Sequence, residues 1–129
     1  MIFRFLRQRL HSFVFAWAGV RNLWEKEKNT RIHLFFTAAV IIAGIIFRVS
    51  VFEWAVLFLT MAAVWAAEAV NSAVERTVDL VTSERRQLAK EAKDLAAGSV
   101  LILAAGSVAV GLFIFLPKLI TVVNVLISK

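Results

Sequence analysis

The chain has 129 residues, 60% of them hydrophobic and 19% charged, with a net charge of +6 and a mean hydropathy of +0.79. An average soluble domain carries roughly 45–50% apolar residues, so this composition excludes a disordered chain, and the length excludes a large soluble enzyme with a deep cleft of its own. The absence of cysteine removes disulfides, thiolate metal sites and thiol redox chemistry, and two histidines without cysteine do not make a structural zinc site. What remains is an all-α integral membrane protein with a basic skin, read as a single membrane domain over 1–129.

Residues 1–31 begin the chain with apolar side chains at helical spacing (Phe3, Leu6, Leu10, Val14, Trp17, Val20, Trp24) and Arg4, Arg7, Arg9 and Arg21 between them. That pattern predicts an amphipathic helix lying on a membrane surface. A secretory leader is the competing reading, because Ala16-Trp17-Ala18 imitates a cleavage site. The apolar run before it is too short for a leader's core. Three transmembrane helices follow, at about 32–48, 51–80 and 94–127. The first is slightly short of the roughly 20 residues that cross a hydrocarbon core. Arg48-Val49-Ser50 makes a tight connection, and Val81–Lys93 a charged one that is partly helical. Pro117 falls near the outer end of the third span, where a kink or stop costs least.

Positive charge orients these spans. Of the 15 basic residues, all but Arg48, Lys118 and Lys129 lie in the N-terminal segment or between Arg76 and Lys93. The N-terminus and the 81–93 connection are therefore expected at the cytoplasmic face. Trp17, Trp24 and Trp54 stand where interfacial aromatic anchors belong. The high isoelectric point, near 10.6, matches anionic lipid headgroups and calls for no nucleic acid.

The second span carries the chemistry. In Glu68-Ala-Val-Asn71-Ser72-Ala-Val-Glu75-Arg76-Thr-Val-Asp79, residues 68, 71, 75 and 79 fall within an arc of roughly 80° at about 100° per residue. Three carboxyls and an amide thus share one helix face. A carboxylate at the bilayer centre costs about 2.5–3.5 kcal/mol on insertion scales, and stacked carboxylates repel. Counting about 1.5 Å per residue from Val51 places Glu68 some 25 Å and Glu75 some 36 Å along the helix. A hydrocarbon core of roughly 30 Å then puts Glu68 just inside the cytoplasmic boundary and Glu75 just outside it. Pairing with Arg76, Arg85 or Lys93 as a solvated helix end explains Asp79 more readily than it explains the deep Glu68.

Two further polar clusters fall on the same side: Glu25, Glu27 and Asn29 before span one, and Lys90, Glu91, Lys93 and Asp94 before Leu-Ala-Ala-Gly98. A divalent cation between Glu27 and Glu75 would relieve their repulsion, and magnesium suits one or two carboxylates with nucleotide phosphates and water. Lys93 would neutralise phosphate as a point charge. Gly106-Ser-Val-Ala-Val-Gly111 has the glycine spacing of a phosphate loop, but Leu112-Phe113 replace the required Lys and Ser/Thr. Ser107 and Gly111 read instead as a small-residue helix-packing pair.

At these residues the sequence resembles the prokaryotic diacylglycerol kinase / undecaprenol kinase family. The match rests first on Glu68 to Asp79, then on Ala89-Lys-Glu-Ala-Lys93-Asp94-Leu-Ala-Ala-Gly98. Ser12-Phe-Val-Phe-Ala-Trp17-Ala-Gly19 and Glu27-Lys-Asn29-Thr-Arg31-Ile-His33 add support. The resemblance implies a homotrimer of three-span subunits, each preceded by a surface helix. It also implies ATP and Mg2+ use, with sites shared between subunits. It assigns Glu68 as general base, Glu27 and Glu75 as metal ligands, and Asn71, Lys93 and Asp94 to the catalytic and nucleotide site, with Asn71 beside the lipid substrate. Glu84 and Arg86 fall where the connecting loop contacts nucleotide, and Asp79 belongs to the motif without a settled role. Phe15 replaces the tyrosine of the diacylglycerol branch. Asn29-Thr-Arg31-Ile-His33 with Ala96-Ala-Gly98 is closer to the Gram-positive branch, which favours undecaprenol.

The expected activity is phosphorylation of a membrane lipid alcohol at the cytoplasmic face of a bacterial cell membrane, with undecaprenol ahead of diacylglycerol. Two rivals come from other classes. A small proton-coupled transporter would use Glu68 as a proton carrier, but the polar residues cluster at one interface instead of lining a path across. A structural adaptor would bind no nucleotide and would tolerate Glu75→Ala.

Overall fold

The computed structural model describes the backbone of residues 2–26 and 29–128 and the side chains of residues 11–25 and 29–128. Glu27, an expected metal ligand, lies outside the described residues. Four helices follow one another: α1 (Ile2–Lys26), α2 (Thr30–Ile46), α3 (Val51–Val81) and α4 (Gln87–Ile127), with no strand among the described residues. α3 and α4 are each long and apolar enough to cross a membrane. α2 has 17 residues, about 25 Å of helix. It meets the same criterion only jointly with residues His11–Glu25 of α1, from which it is bent by 97°.

The bend is held by one buried hydrogen bond. Thr30 Oγ1 donates 2.8 Å to the Leu23 carbonyl, across seven residues, and both residues are buried. Nearby, Arg21 Nε donates 2.6 Å to Glu25 Oε1. That hydrogen bond, and then the Glu25 charge, raise the affinity of the Arg21 guanidinium for its proton.

α2 ends in a Schellman motif. The Val49 amide reaches the Gly44 carbonyl at 3.0 Å and the Arg48 amide the Ile45 carbonyl at 3.2 Å. Arg48 occupies the left-handed position at φ 50°, where glycine is the usual residue. Ser50 then caps α3 in a reciprocal box with Glu53: Glu53 Oε2 accepts from the Ser50 amide at 2.6 Å, and Ser50 Oγ from the Glu53 amide at 3.3 Å. Glu53 also receives Lys118 Nζ at 3.0 Å, tying α4 to the N-terminal end of α3.

Buried residues along α3 are Leu57, Val64, Ala67, Glu68, Asn71 and Ser72, one helical stripe. The stripe is apolar towards the N-terminal end of α3 and polar towards its C-terminal end. α3 packs most extensively against α4 and more sparsely against α2. The single chain exposes 10556 Å², against about 6,800 Å² for a compact soluble monomer of this mass. α4 contributes no buried residue.

The α3–α4 connection differs in length from the sequence expectation, whereas the end of α4 matches it. α4 starts at Gln87, inside the stretch read as a charged connection, so the link from α3 is only residues 82–86. Pro117 does not stop α4, which continues to Ile127. Thr121 Oγ1 donates to the Pro117 carbonyl at 2.9 Å, so the turn after the proline keeps a local hydrogen bond. Ser107 and Gly111 are half-buried in the single chain; a Cβ added to Gly111 meets no atom within 4 Å, and Ser107 Oγ donates to its own helix at Leu103.

Candidate functional site

The helical spacing that put four polar residues on one face of α3 places them in a graded environment. Glu68 is 2% exposed, and Asn71 and Ser72 are also buried. Glu75 is half-buried and Asp79 exposed. Asn71 Nδ2 donates to Glu75 Oε1 at 3.2 Å, one turn along. Glu68 Oε2, Asn71 Oδ1 and Ser72 Oγ are buried without a hydrogen-bond partner among the described residues. Such orphaned groups cost about 1–3 kcal/mol each, so three on consecutive turns of one helix mark a surface built to meet something else. Other helical hydroxyls in this chain, such as Thr60, Thr77 and Ser107, bond back onto their own carbonyls at 2.6–2.8 Å. Ser72 does not.

A second group assembles at the corner between α3 and α4. Lys93 Nζ reaches Asp79 Oδ1 at 2.5 Å, joining the two helices. Arg86 clasps Glu84 Oε2 through Nε at 3.0 Å and a terminal nitrogen at 2.9 Å, and the Glu84 amide donates to Thr82 Oγ1 at 3.1 Å. Asp79, Glu84, Arg86, Lys93 and Asp94 all line one open cleft of about 580 Å³. Glu68, Asn71 and Glu75 do not line it; they continue up α3, with Glu75 one turn, about 6 Å, above Asp79.

Among the described residues, no three carboxylate or imidazole side chains converge as a ready-made metal cage. The donors that are present nevertheless fit magnesium. Glu75 offers a half-buried carboxylate, and Asn71 Oδ1 beside it is an unsatisfied hard oxygen. Magnesium takes one or two carboxylates and completes its shell with phosphate oxygens and water.

Residues to which the sequence assigned no role at the site stand beside Glu68. His33 Nε2 lies 3.8 Å from Glu68 Oε2. Trp65 packs between His33 and Trp24, with ring centroids 6.1 and 6.4 Å apart. Trp65 Nε1 donates to Thr37 Oγ1 at 3.1 Å. The available signal was a histidine one turn into an apolar span, where an imidazole requires a partner.

The sequence is similar to that of known proteins. The sequence model of the family described as prokaryotic diacylglycerol kinase matches residues 14–115. An undecaprenol kinase of Bacillus subtilis is 41% identical over 114 residues, covering 88% of this chain and 93% of that protein. A diacylglycerol kinase of Synechocystis is 42% identical over 113 residues, covering 87% of this chain but 65% of the relative's own length.

Proposed function

The chain belongs to the prokaryotic diacylglycerol kinase family and is a lipid kinase; on that premise we propose that it transfers the terminal phosphoryl group of ATP to the hydroxyl of undecaprenol. The observation that carries this reading is the polar face of α3, where a buried carboxylate with an unpartnered oxygen lies about two turns from a half-buried carboxylate and three from an exposed one. Chemistry between a bilayer-dissolved alcohol and a water-soluble phosphate donor needs that gradient. Undecaprenol is favoured over diacylglycerol because the near-full-length match is to an undecaprenol kinase, whereas the diacylglycerol kinase is matched over 65% of its length. Phe15, and His33 after Asn29-Thr-Arg31, point the same way.

Phosphoryl transfer asks a protein for positioning and charge neutralisation more than for covalent chemistry. The cleft of Asp79, Glu84, Arg86, Lys93 and Asp94 holds the nucleotide, with Lys93 and Arg86 offsetting phosphate charge. Glu75 and Glu27 would hold magnesium, which when bound screens the phosphate oxygens and orients them. Glu68 accepts the proton of the lipid hydroxyl as its oxygen bonds to the γ-phosphorus and the bond to ADP breaks. Asn71 holds Glu75 in register and presents its carbonyl oxygen to the site. The large apolar surface that the single chain leaves uncovered supports assembly into a homotrimer in a bacterial cell membrane, with the site at the cytoplasmic face.

The test is direct competition. Purified protein in bilayers receives labelled ATP, magnesium, undecaprenol and diacylglycerol together. Label is expected mainly in undecaprenyl phosphate. Label mainly in phosphatidic acid overturns the substrate assignment, and no label in either lipid overturns the reading.

A further inference from the structure

Among the described residues, the titratable group that faces the orphaned oxygen of Glu68 is His33. Its imidazole is 17% exposed and presents Nε2 to Glu68 Oε2 at 3.8 Å. Trp65 walls it on one side, with centroids 6.1 Å apart, and Trp65 is itself pinned by the 3.1 Å hydrogen bond from Nε1 to Thr37 Oγ1. Thr37 follows His33 by one turn of α2, and Trp65 precedes Glu68 by about one turn of α3. The two helices therefore meet in two rungs, Trp65–Thr37 and Glu68–His33. The first rung is closed by a hydrogen bond. The second stands about 0.6–1.1 Å beyond hydrogen-bond distance, as catalytic contacts often do before substrate binds.

We infer that His33 is a positioning residue for the phosphoryl transfer: its Nε2–H holds the inner oxygen of the Glu68 carboxylate, so that the other oxygen faces the lipid hydroxyl. The inference rests on the reading of Glu68 as the general base. It follows the logic by which a base is oriented by a third group and a working side chain is locked by packing and hydrogen bonds behind it. It also gives a buried carboxylate oxygen the donor that it otherwise lacks. Trp65 and Thr37 serve His33 by fixing the wall against which it stands.

The experiment uses where a side chain carries its donor. A glutamine amide nitrogen reaches the place of an imidazole Nε2, and an asparagine amide nitrogen the place of Nδ1. His33→Gln and His33→Asn are both neutral and polar, so they load the fold alike. Each is purified full length in bilayers and assayed for kcat, ATP KM and thermal midpoint with labelled ATP and undecaprenol. His33→Gln is expected within about threefold of wild-type kcat. His33→Asn is expected to lose about tenfold or more in kcat, the scale of one hydrogen bond in the transition state, with ATP KM and thermal midpoint unchanged. In a Glu68→Gln background the two substitutions should no longer differ, because the group they position is gone. Equal kcat for Gln and Asn, or a kcat loss that tracks the thermal midpoint, overturns the role of His33. If Glu68→Gln alone turns over like wild type, the base assignment beneath it fails instead.

Discussion

Lys93 Nζ, on α4, sits 2.5 Å from Asp79 Oδ1, on α3, and so closes the corner between the two longest helices at the cleft expected to take nucleotide. The pair is partly solvated, with the two side chains 35% and 64% exposed, and such pairs are worth about 0–1 kcal/mol. Asp79→Asn should therefore cost less than about 1 kcal/mol in denaturant or thermal unfolding. Lys93→Met should leave unfolding equally unaffected yet reduce kcat by about 10²-fold or more, the usual loss when a charge facing a transition state is removed. Parallel losses in stability and turnover for Lys93→Met would mark the lysine as structural.

Glu68→Gln replaces a buried acid by its neutral isostere. Turnover should fall by about 10²–10⁴-fold, the contribution of a positioned base. Thermal stability should stay level or rise, because an amide costs less to bury than a carboxylate. Both quantities are read on one purified preparation. A fall in thermal midpoint would place Glu68 among the residues that hold the helices together.

Thr30 carries the bend between α1 and α2 on one buried hydrogen bond to the Leu23 carbonyl. Thr30→Val keeps the shape and deletes the donor, and should cost about 0.5–1.5 kcal/mol, the net contribution of one hydrogen bond. Thr30→Ser restores the hydroxyl and should recover most of the loss. Thermal unfolding in detergent micelles distinguishes them; equal midpoints for Val and Ser would remove the hydrogen bond from the account.

Gly44 accepts the Trp54 indole edge-on. A Cβ there would stand 2.5 Å from Trp54 Cη2 and 2.8 Å from Cζ2, and Trp54 is braced by a stacked Phe58 at 5.3 Å. Gly44→Ala gains about 1 kcal/mol of helix propensity but incurs an overpacking strain of about 1–3 kcal/mol. Net destabilisation of up to about 2 kcal/mol is expected. Adding Trp54→Leu should reverse it, and failure to reverse it would show that the indole is not the obstruction.

Arg48 holds a left-handed φ of 50° at an exposed turn. Arg48→Gly removes a strain of about 1–2 kcal/mol, offset in part by a chain-entropy cost of about 0.4–1 kcal/mol. A gain of up to about 1 kcal/mol in thermal stability is expected at unchanged kcat. A lower midpoint would mean that the guanidinium itself stabilises the turn.

Much of the fold was legible because its signals are local. Hydropathy and helical spacing marked the helical stretches, and the spacing of residues 68, 71, 75 and 79 alone put them on one face. The Arg48-Val49-Ser50 connection was visible as a break between two apolar runs. The start of α4 at Gln87 was not: in VTSERRQLAKEAK, helix-forming residues and charges alternate without an apolar period, so the boundary depends on how the chain turns at Thr82–Arg86. Pro117 allowed a kink or a stop, and the apolar residues beyond it carry the helix to Ile127, where the apolar run ends.

The amino-acid order by itself determined that this chain belongs in a bilayer, which end of its spans bears the positive charge, and that α3 carries a stripe of carboxylates. Those properties come from composition and from a period of 3.6 residues, which act within one helix. The tertiary structure alone decided that Glu68 is sealed to 2% exposure while Glu75, two turns on, is not. It also decided that the sealed carboxylate faces His33 across the α2–α3 contact. Burial and pairing are set by what a neighbouring helix brings alongside, 35 residues away in the chain, and no local pattern encodes that distance.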